Sequence, residues 1–188
     1  KSGSVTVSHL RFGPKPIRST YLITSANFVA CHQWEFLDKL EILKDAKPGA
    51  TFLINSPYEA QETWTRLPYA LQSEIIAKGI KPYCINALKV AREAGMGGRI
   101  NTVLQTCFFA LAGVLSREEA IAQIKNAIRK TYGKKGEEVV QMNINAVDQT
   151  LDHLYDVPVG DLPSDAPQTE HSWVPDTAPP FVHDVLGM

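Results

Sequence analysis

The chain has 188 residues, of which 44% are hydrophobic, and its 19 basic and 20 acidic residues give a net charge of −1. This length suffices for one substantial hydrophobic core, and the balanced charge excludes the long-range positive field of a nonspecific nucleic-acid or anionic-membrane binder. No apolar run approaches the roughly 20 residues that span a bilayer, and no secretory signal pattern opens the sequence, so we predict an intracellular protein without a nucleic-acid or membrane partner.

The first part of the chain carries strand patterns. Residues 4–12 alternate at a period of two, as in a strand, and Gly13-Pro14 ends the pattern. Short apolar runs at 21–23 and 27–31, bounded by polar residues, are typical of buried strands. We therefore predict a strand in each of these three stretches.

Helical and strand patterns alternate after residue 33. The predicted elements are a helix from Trp34 that ends at Lys47-Pro48-Gly49, a strand at 51–55, a helix at 69–78, a strand at 81–85 and a helix at 87–94, which Gly95 ends. Such alternation indicates a parallel sheet with crossover connections, and these sheets bind ligands at the carboxyl ends of their strands. The candidate ligand loops are those after Phe12, Cys31, Asn55 and Ile85.

The pattern from residue 102 to residue 155 is helical. Residues 102–115 are apolar on most sides, Ser116 and Glu119 form a capping box for a helix that ends near Tyr132-Gly133, and 137–155 is amphipathic. The predicted fold class is therefore α/β, a Rossmann-like parallel or mixed sheet with flanking helices, followed by a C-terminal helical segment.

The two ends of the sequence suggest a longer protein. The chain opens on a strand pattern without an initiator Met, and after Tyr155 it becomes rich in Pro and Asp before turning apolar again at 181–188. A linker that leads into new apolar residues usually precedes another domain. We expect residues 1–157 to form one domain of a larger enzyme and residues 158–188 to form a linker towards the next.

Cysteine and histidine spacing predicts neither a metal site nor a catalytic residue. Cys31, Cys84 and Cys107 are far apart and each lies in an apolar stretch, which favours buried thiols over disulfides or a CxxC metal site. The neighbours Cys31 and His32 would point to opposite faces of a strand, so they cannot act as a nucleophile and its base.

Residues 95–102, Gly-Met-Gly-Gly-Arg-Ile-Asn-Thr, are the most informative stretch. A glycine-rich loop before a helix offers backbone N–H groups to an anion, and Arg99 adds a planar fork suited to phosphate or carboxylate. In the structural alternative, Gly95 caps one helix, the next begins at Asn101 or Thr102, and Arg99 binds a neighbouring carbonyl. The basic turn Lys1-Ser2-Gly3-Ser4 has two similar interpretations, phosphate contact or a solvated end.

Several motifs, in a fixed order, resemble pyruvate:ferredoxin (flavodoxin) oxidoreductase. They are Lys1-Ser2-Gly3 and the residues at 5–23, 28–32, 97–102 and 132–136. The resemblance is to the third, gamma-type domain and spans residues 1 to about 157. It implies an enzyme that converts pyruvate to acetyl-CoA and CO2 and passes electrons to ferredoxin or flavodoxin. It also implies thiamine diphosphate with Mg2+ and [4Fe-4S] clusters, all bound by other domains, in a cytoplasmic homodimer.

The resemblance further implies that this domain contributes to binding coenzyme A (CoA). The family's phosphate-contacting positions correspond here to Lys1, Ser2, Gly3, Gly97, Gly98, Arg99 and Asn101. The family's first strand, Gly-Thr-Val-Gly-type loop and first helix are missing from this chain, so we expect only part of the ligand cradle. Two alternatives remain open, an assembly domain that contacts no ligand and the same domain of an enzyme for another 2-oxoacid.

Overall fold

A sheet of four strands organises the part of the chain that the computed structural model describes, residues 5–13, 16–18 and 22–163. The strands are β1 (Ala26–Cys31), β2 (Ala46–Asn55), β3 (Lys81–Ile85) and β4 (Tyr155–Asp156), in that spatial order. The first three strands run parallel and β4 pairs antiparallel with β3. This confirms the predicted α/β class with a mixed sheet.

Six helices flank the sheet in the described residues. They are α1 (Ala60–Arg66), α2 (Tyr69–Lys78), α3 (Ala87–Glu93), α4 (Asn101–Leu111), α5 (Arg117–Tyr132) and α6 (Glu137–Asp152). The predicted helices near 69–78, 87–94, 102–115, 117–132 and 137–155 are thus all present. At the start of α5 the Ser116 hydroxyl accepts the backbone N–H of Glu119 at 3.3 Å, as the capping pattern predicts. None of these helices combines the length and apolarity that a bilayer crossing requires.

The predicted helix from Trp34 is wrong. Only Trp34–Phe36 forms a short 3-10 helix, and β2 begins at Ala46 and runs through Lys47-Pro48-Gly49. The pairing of β1 with β2 shifts register in this stretch, and Gly49 has a φ of +75°. A bulge of this kind accommodates a proline without losing a ladder hydrogen bond, so residues that commonly end a helix lie within a strand here.

The predicted strands at 4–12 and 21–23 are also wrong wherever the structure describes them. Residues 5–13 and 22–23 are irregular. The two segments meet through side chains, because the Ile23 N–H donates to Nδ1 of His9 at 3.1 Å and Nη2 of Arg11 donates to the Leu22 carbonyl at 3.1 Å. An alternating sequence becomes a strand only when a neighbouring backbone completes its ladder. Residues 4 and 21 lie outside the described residues.

The two faces of β2 enter two separate hydrophobic cores. Phe52 and Ile54 face one cluster, and Leu53 faces the other, as the alternation of strand side chains requires. The first cluster also contains Leu43, Trp64, Leu71 and Ile75, whereas the second also contains Ile85, Val90, Val103, Cys107 and Ala146. A third cluster lies mainly between α5 and α6. The sheet is therefore covered on both faces, which leaves the strand ends and the helix connections as places for a ligand.

Candidate ligand-binding site

The glycine-rich loop begins with a helix cap. Gly95 has a φ of +77°, its N–H donates to the Arg92 carbonyl at 3.0 Å, and the Met96 N–H donates to the Ala91 carbonyl at 2.7 Å. These are the two hydrogen bonds of a Schellman motif, in which glycine is favoured at the left-handed position. Gly95 therefore has the structural role that the alternative interpretation gives it.

The middle of the loop, Gly97-Gly98, is open. Gly97 has a φ of +62°, a conformation that favours glycine. A Cβ atom at Gly97 or Gly98 would meet no atom of the described residues within 4 Å, and both residues are exposed. A ligand can therefore approach this backbone closely without displacing a side chain of the described part of the chain.

The loop ends at the amino terminus of α4. Ile100 occupies the capping position, and no side chain of the described residues caps the first-turn N–H groups. Asn101, the first helical residue, is exposed. Uncapped first-turn N–H groups and the partial positive charge of a helix start favour an anion at this position.

Arg99 lies between the open glycines and α4 and is exposed. Its Nε donates to the Met96 carbonyl at 3.1 Å, which is the backbone contact that the structural interpretation predicts. Its Nη2 lies 3.9 Å from Sδ of Met142 on α6. Among the ion pairs of the described residues none includes Arg99, so no carboxylate in this part of the chain neutralises its charge.

The loop therefore joins four of the seven predicted binding residues, Gly97, Gly98, Arg99 and Asn101, on one continuous exposed segment. The other three, Lys1, Ser2 and Gly3, lie outside the described residues. The binding role of all seven stays a prediction.

The carboxyl ends of the parallel strands form a second concave region. Asn55 ties it together, because its Nδ2 donates to the His32 carbonyl at 3.0 Å and its Oδ1 accepts the Ala87 N–H at 3.0 Å. A cleft of about 120 Å³ opens beside it between the loops after β2 and β3, and its polar lining includes Tyr58, Glu59, Asn86, Lys89, His153 and Tyr155. Three of the four candidate loops, those after Cys31, Asn55 and Ile85, thus lie at one edge.

The cleft and the glycine-rich loop are separate places. Met142 contacts the loop, whereas His153, at the end of the same helix, lines the cleft. At 1.5 Å per helical residue these two positions are about 16 Å apart along α6. Sequence patterns did not single out the cleft residues His153 and Tyr155, because tertiary packing alone brings them to the carboxyl ends of β2 and β3.

The three cysteines are buried, as predicted. Burial raises the pKa of each thiol, that of Cys107 to about 12, so all three are poor nucleophiles at neutral pH. Cys31 and Cys84 flank Ile54 in one row of the sheet, two strand spacings or about 9.6 Å apart, which is too far for a disulfide. Within the described residues no three His, Cys, Asp or Glu side chains converge on a point, so they do not fit an iron-sulfur cluster.

Comparison with known proteins identifies close relatives. The model of the pyruvate ferredoxin/flavodoxin oxidoreductase family matches residues 1–153. The chain is 64% identical over 187 residues to a putative pyruvate-flavodoxin oxidoreductase of Synechocystis sp. and 43% identical over 192 residues to a probable pyruvate-flavodoxin oxidoreductase of Escherichia coli. It is 47% identical over 157 residues to the pyruvate:ferredoxin oxidoreductase of Moorella thermoacetica.

These relatives are much longer than the chain. The three alignments cover 100%, 100% and 84% of this chain but only 16%, 16% and 13% of the respective relatives. Among solved structures, the pyruvate oxidoreductase subunit PORC of Thermotoga maritima aligns with a TM-score of 0.53 over 72% of this chain and 67% of that one. At 15% sequence identity this likeness shows a shared fold.

Proposed function

Because this chain belongs to the pyruvate ferredoxin/flavodoxin oxidoreductase family, we propose that it is one domain of an enzyme that oxidatively decarboxylates pyruvate. In this reaction pyruvate and CoA give acetyl-CoA and CO2, and two electrons pass to ferredoxin or flavodoxin. The names of the relatives, which specify pyruvate and one or the other carrier, support the proposal. Within the parent enzyme, residues 1–157 are the gamma-type domain and residues 158–188 lead to the next domain.

The role proposed for this domain is to bind CoA through the loop from Gly97 to Asn101. The observation that carries it is that three features lie next to one another in this loop. They are an open Gly-Gly backbone, an arginine without an acidic partner among the described residues, and an uncapped helix start. CoA carries a diphosphate and a 3′-phosphate, and arginine and helix N-termini are the groups that proteins use for such anions.

Each site residue has a distinct proposed task. Gly97 and Gly98 allow a phosphate to approach the backbone, and Arg99 neutralises its charge. Asn101 presents its exposed backbone and side-chain N–H groups at the first turn of α4. Lys1, Ser2 and Gly3 add a second basic contact. The rest of the cradle is the first strand, Gly-Thr-Val-Gly-type loop and first helix of the family's gamma-type domain, which the sequence of this chain does not include.

Other domains also hold the cofactors in this proposal. Thiamine diphosphate with Mg2+ supplies the electron sink for decarboxylation, and [4Fe-4S] clusters supply the path for the electrons. The described residues of this chain contain no converging set of ligands for Mg2+ or for a cluster. By analogy with the family we also propose that the parent enzyme is a cytoplasmic homodimer.

Turnover by the full-length enzyme tests the proposed reaction. We expect pyruvate to give a higher kcat/KM than 2-oxobutyrate or 2-oxoglutarate, with acetyl-CoA as product and with no acetyl transfer when CoA is omitted. Acetyl-CoA formation and reduction of purified ferredoxin and flavodoxin are followed in parallel. A higher kcat/KM for another 2-oxoacid would assign the domain to a different member of the same enzyme class.

A specific feature favours a second role in assembly. The segment before β1 exposes several apolar side chains, and Val7, Leu10 and Leu22 are 71%, 63% and 68% exposed. Exposed apolar groups that form a contiguous patch usually mark a surface that packs against another part of a protein. If the domain has only an assembly role, CoA should leave the hydrogen exchange of residues 95–102 unchanged.

A further inference from the structure

A buried amide joins α6 to the first turn of α4. Asn143 is 3% exposed, its Nδ2 donates to the Val139 carbonyl at 2.8 Å, and its Oδ1 lies 3.0 Å from the Thr102 hydroxyl. A backbone carbonyl can only accept, so the amide nitrogen must face Val139 and the amide oxygen must face Thr102. The Thr102 hydroxyl is therefore the donor to Asn143.

This hydrogen bond holds one side of the glycine-rich loop. Thr102 is the second residue of α4 and follows Asn101 directly. The preceding residue on α6, Met142, holds the other side, because its side chain lies 3.8 Å from the Cβ position of Gly95 and 3.9 Å from Nη2 of Arg99. Between these two anchors Gly97 and Gly98 have no packing contact at a Cβ position from the described residues. The position of the loop thus depends on α6.

Packing alone does not account for an amide at this position. Val103, Cys107 and Ala146 already supply apolar contact between the two helices, and a leucine would fill a similar volume without a polar group to satisfy. A single buried polar pair is best known for fixing the register of two packed helices. Here the register of α4 against α6 also fixes where Arg99 and the first-turn N–H groups point.

We propose that Asn143, acting through Thr102, is a positioning residue for the CoA phosphate site. This inference rests on the proposed function of the Gly97–Asn101 loop. Asn143 does not contact the ligand in this proposal. It holds the start of α4 so that the loop is ordered before CoA arrives, which lowers the entropic cost of binding.

Two substitutions of Thr102 in the full-length enzyme test the positioning role. Thr102→Val keeps the shape but removes the donor, and we expect it to raise the KM for CoA about threefold to tenfold, in line with the loss of one partly buried hydrogen bond. The kcat at saturating CoA and the KM for pyruvate stay as in the wild type. Thr102→Ser keeps the hydroxyl and restores most of the CoA affinity.

Thr150→Val is the matched control. Thr150 is fully buried, whereas Thr102 is partly buried, and the Thr150 hydroxyl donates to the Ala146 carbonyl within α6, away from the loop. Thr150→Val makes the same chemical change and removes a hydroxyl hydrogen bond within α6, so we expect it to leave the KM for CoA unchanged. If Thr150→Val and Thr102→Val raise this KM equally, Thr102 acts only through general stability and the positioning role is overturned.

Arg99→Ala distinguishes a failure of the positioning role from a failure of the proposed CoA site on which it rests. If Arg99→Ala weakens CoA binding but Thr102→Val does not, the positioning role is wrong and the proposed CoA site stands. If neither variant changes CoA binding, both proposals are wrong.

Discussion

Arg99→Ala in the full-length enzyme is expected to raise the Kd for CoA by roughly 10- to 150-fold, which corresponds to the 1.5–3 kcal/mol of a hydrogen bond to a charged group. The KM for pyruvate is expected to stay unchanged, because the loop from Gly97 to Asn101 is assigned only to CoA. Isothermal titration of each variant with CoA gives the Kd directly. Arg99→Lys should fall between the wild type and Arg99→Ala, since lysine keeps the charge but lacks the planar fork.

Arg117→Ala provides the control for this prediction. Arg117 is also exposed and begins α5. The one-turn link Gly133–Lys135 joins α5 to α6, so these packed helices run antiparallel. The Lys125–Asp148 ion pair sets their register and places Arg117 at the end of the pair that is remote from Met142. Its removal should leave the Kd for CoA unchanged. Equal effects of Arg99→Ala and Arg117→Ala would mean that Arg99 is not in the binding site.

Phe52→Ala is expected to destabilise the domain by about 3–5 kcal/mol, the usual cost of removing a buried phenyl ring from a core. Phe52 is 0% exposed and lies on β2 between Val29 of β1 and Pro82 of β3, within the cluster that α1 and α2 cover. Native-state hydrogen exchange of the β2 and β3 amides in the full-length enzyme measures the opening free energy of this domain separately from the others.

Phe12→Ala is the control that distinguishes the loss of a buried core residue from the loss of a partly exposed aromatic ring. Phe12 is 53% exposed, and its ring centroid lies 5.7 Å from that of Phe108 and 6.5 Å from that of Phe109. Aromatic pairs of this kind contribute about 0.5–1.5 kcal/mol, so this substitution should cost far less than Phe52→Ala. If Phe12→Ala and Phe52→Ala lower the opening free energy equally, Phe52 is not a central residue of the core that α1 and α2 cover.

The elements that sequence patterns predicted well are those whose signals are local. The run at 51–55 holds three consecutive apolar residues, Phe52 to Ile54, and lies in the centre of the sheet, and α6 has a long, periodic apolar face. Ser116 and Glu119 mark the start of α5 through a hydrogen bond between residues three apart. Neighbouring residues decide each of these features.

The elements that the patterns missed depend on distant partners. β4 has two residues and exists through its pairing with Tyr83 and Cys84, far away in the sequence. The segment after Trp34 has helix-like spacing, but it buries Leu37 and Leu43 while the chain turns towards β2. The short helix α1 buries only Ala60, Thr63 and Trp64, which is too weak a pattern to recognise.

In the candidate site, too, some features follow from neighbouring residues and others from distant ones. Its glycines, Arg99 and Asn101 are contiguous, so the sequence alone identifies them as one loop before a helix. Met142 and Asn143, which hold that loop, come about forty residues later, and no local pattern connects them with it. The orientation of the loop therefore follows from the packing of α6 against α4 and cannot be predicted from local sequence.

Hydrogen exchange of residues 95–102 in the full-length enzyme, with and without saturating CoA, tests the central claim most directly. The N–H groups of Gly97, Gly98 and Asn101 lie in an exposed loop or an uncapped first turn, so protection by a bound phosphate should be easy to detect. The proposed site predicts slower exchange in this segment when CoA binds and no change around Arg117. Unchanged exchange at 95–102 under conditions where CoA is bound would contradict a CoA site on this loop and favour an assembly role for the domain.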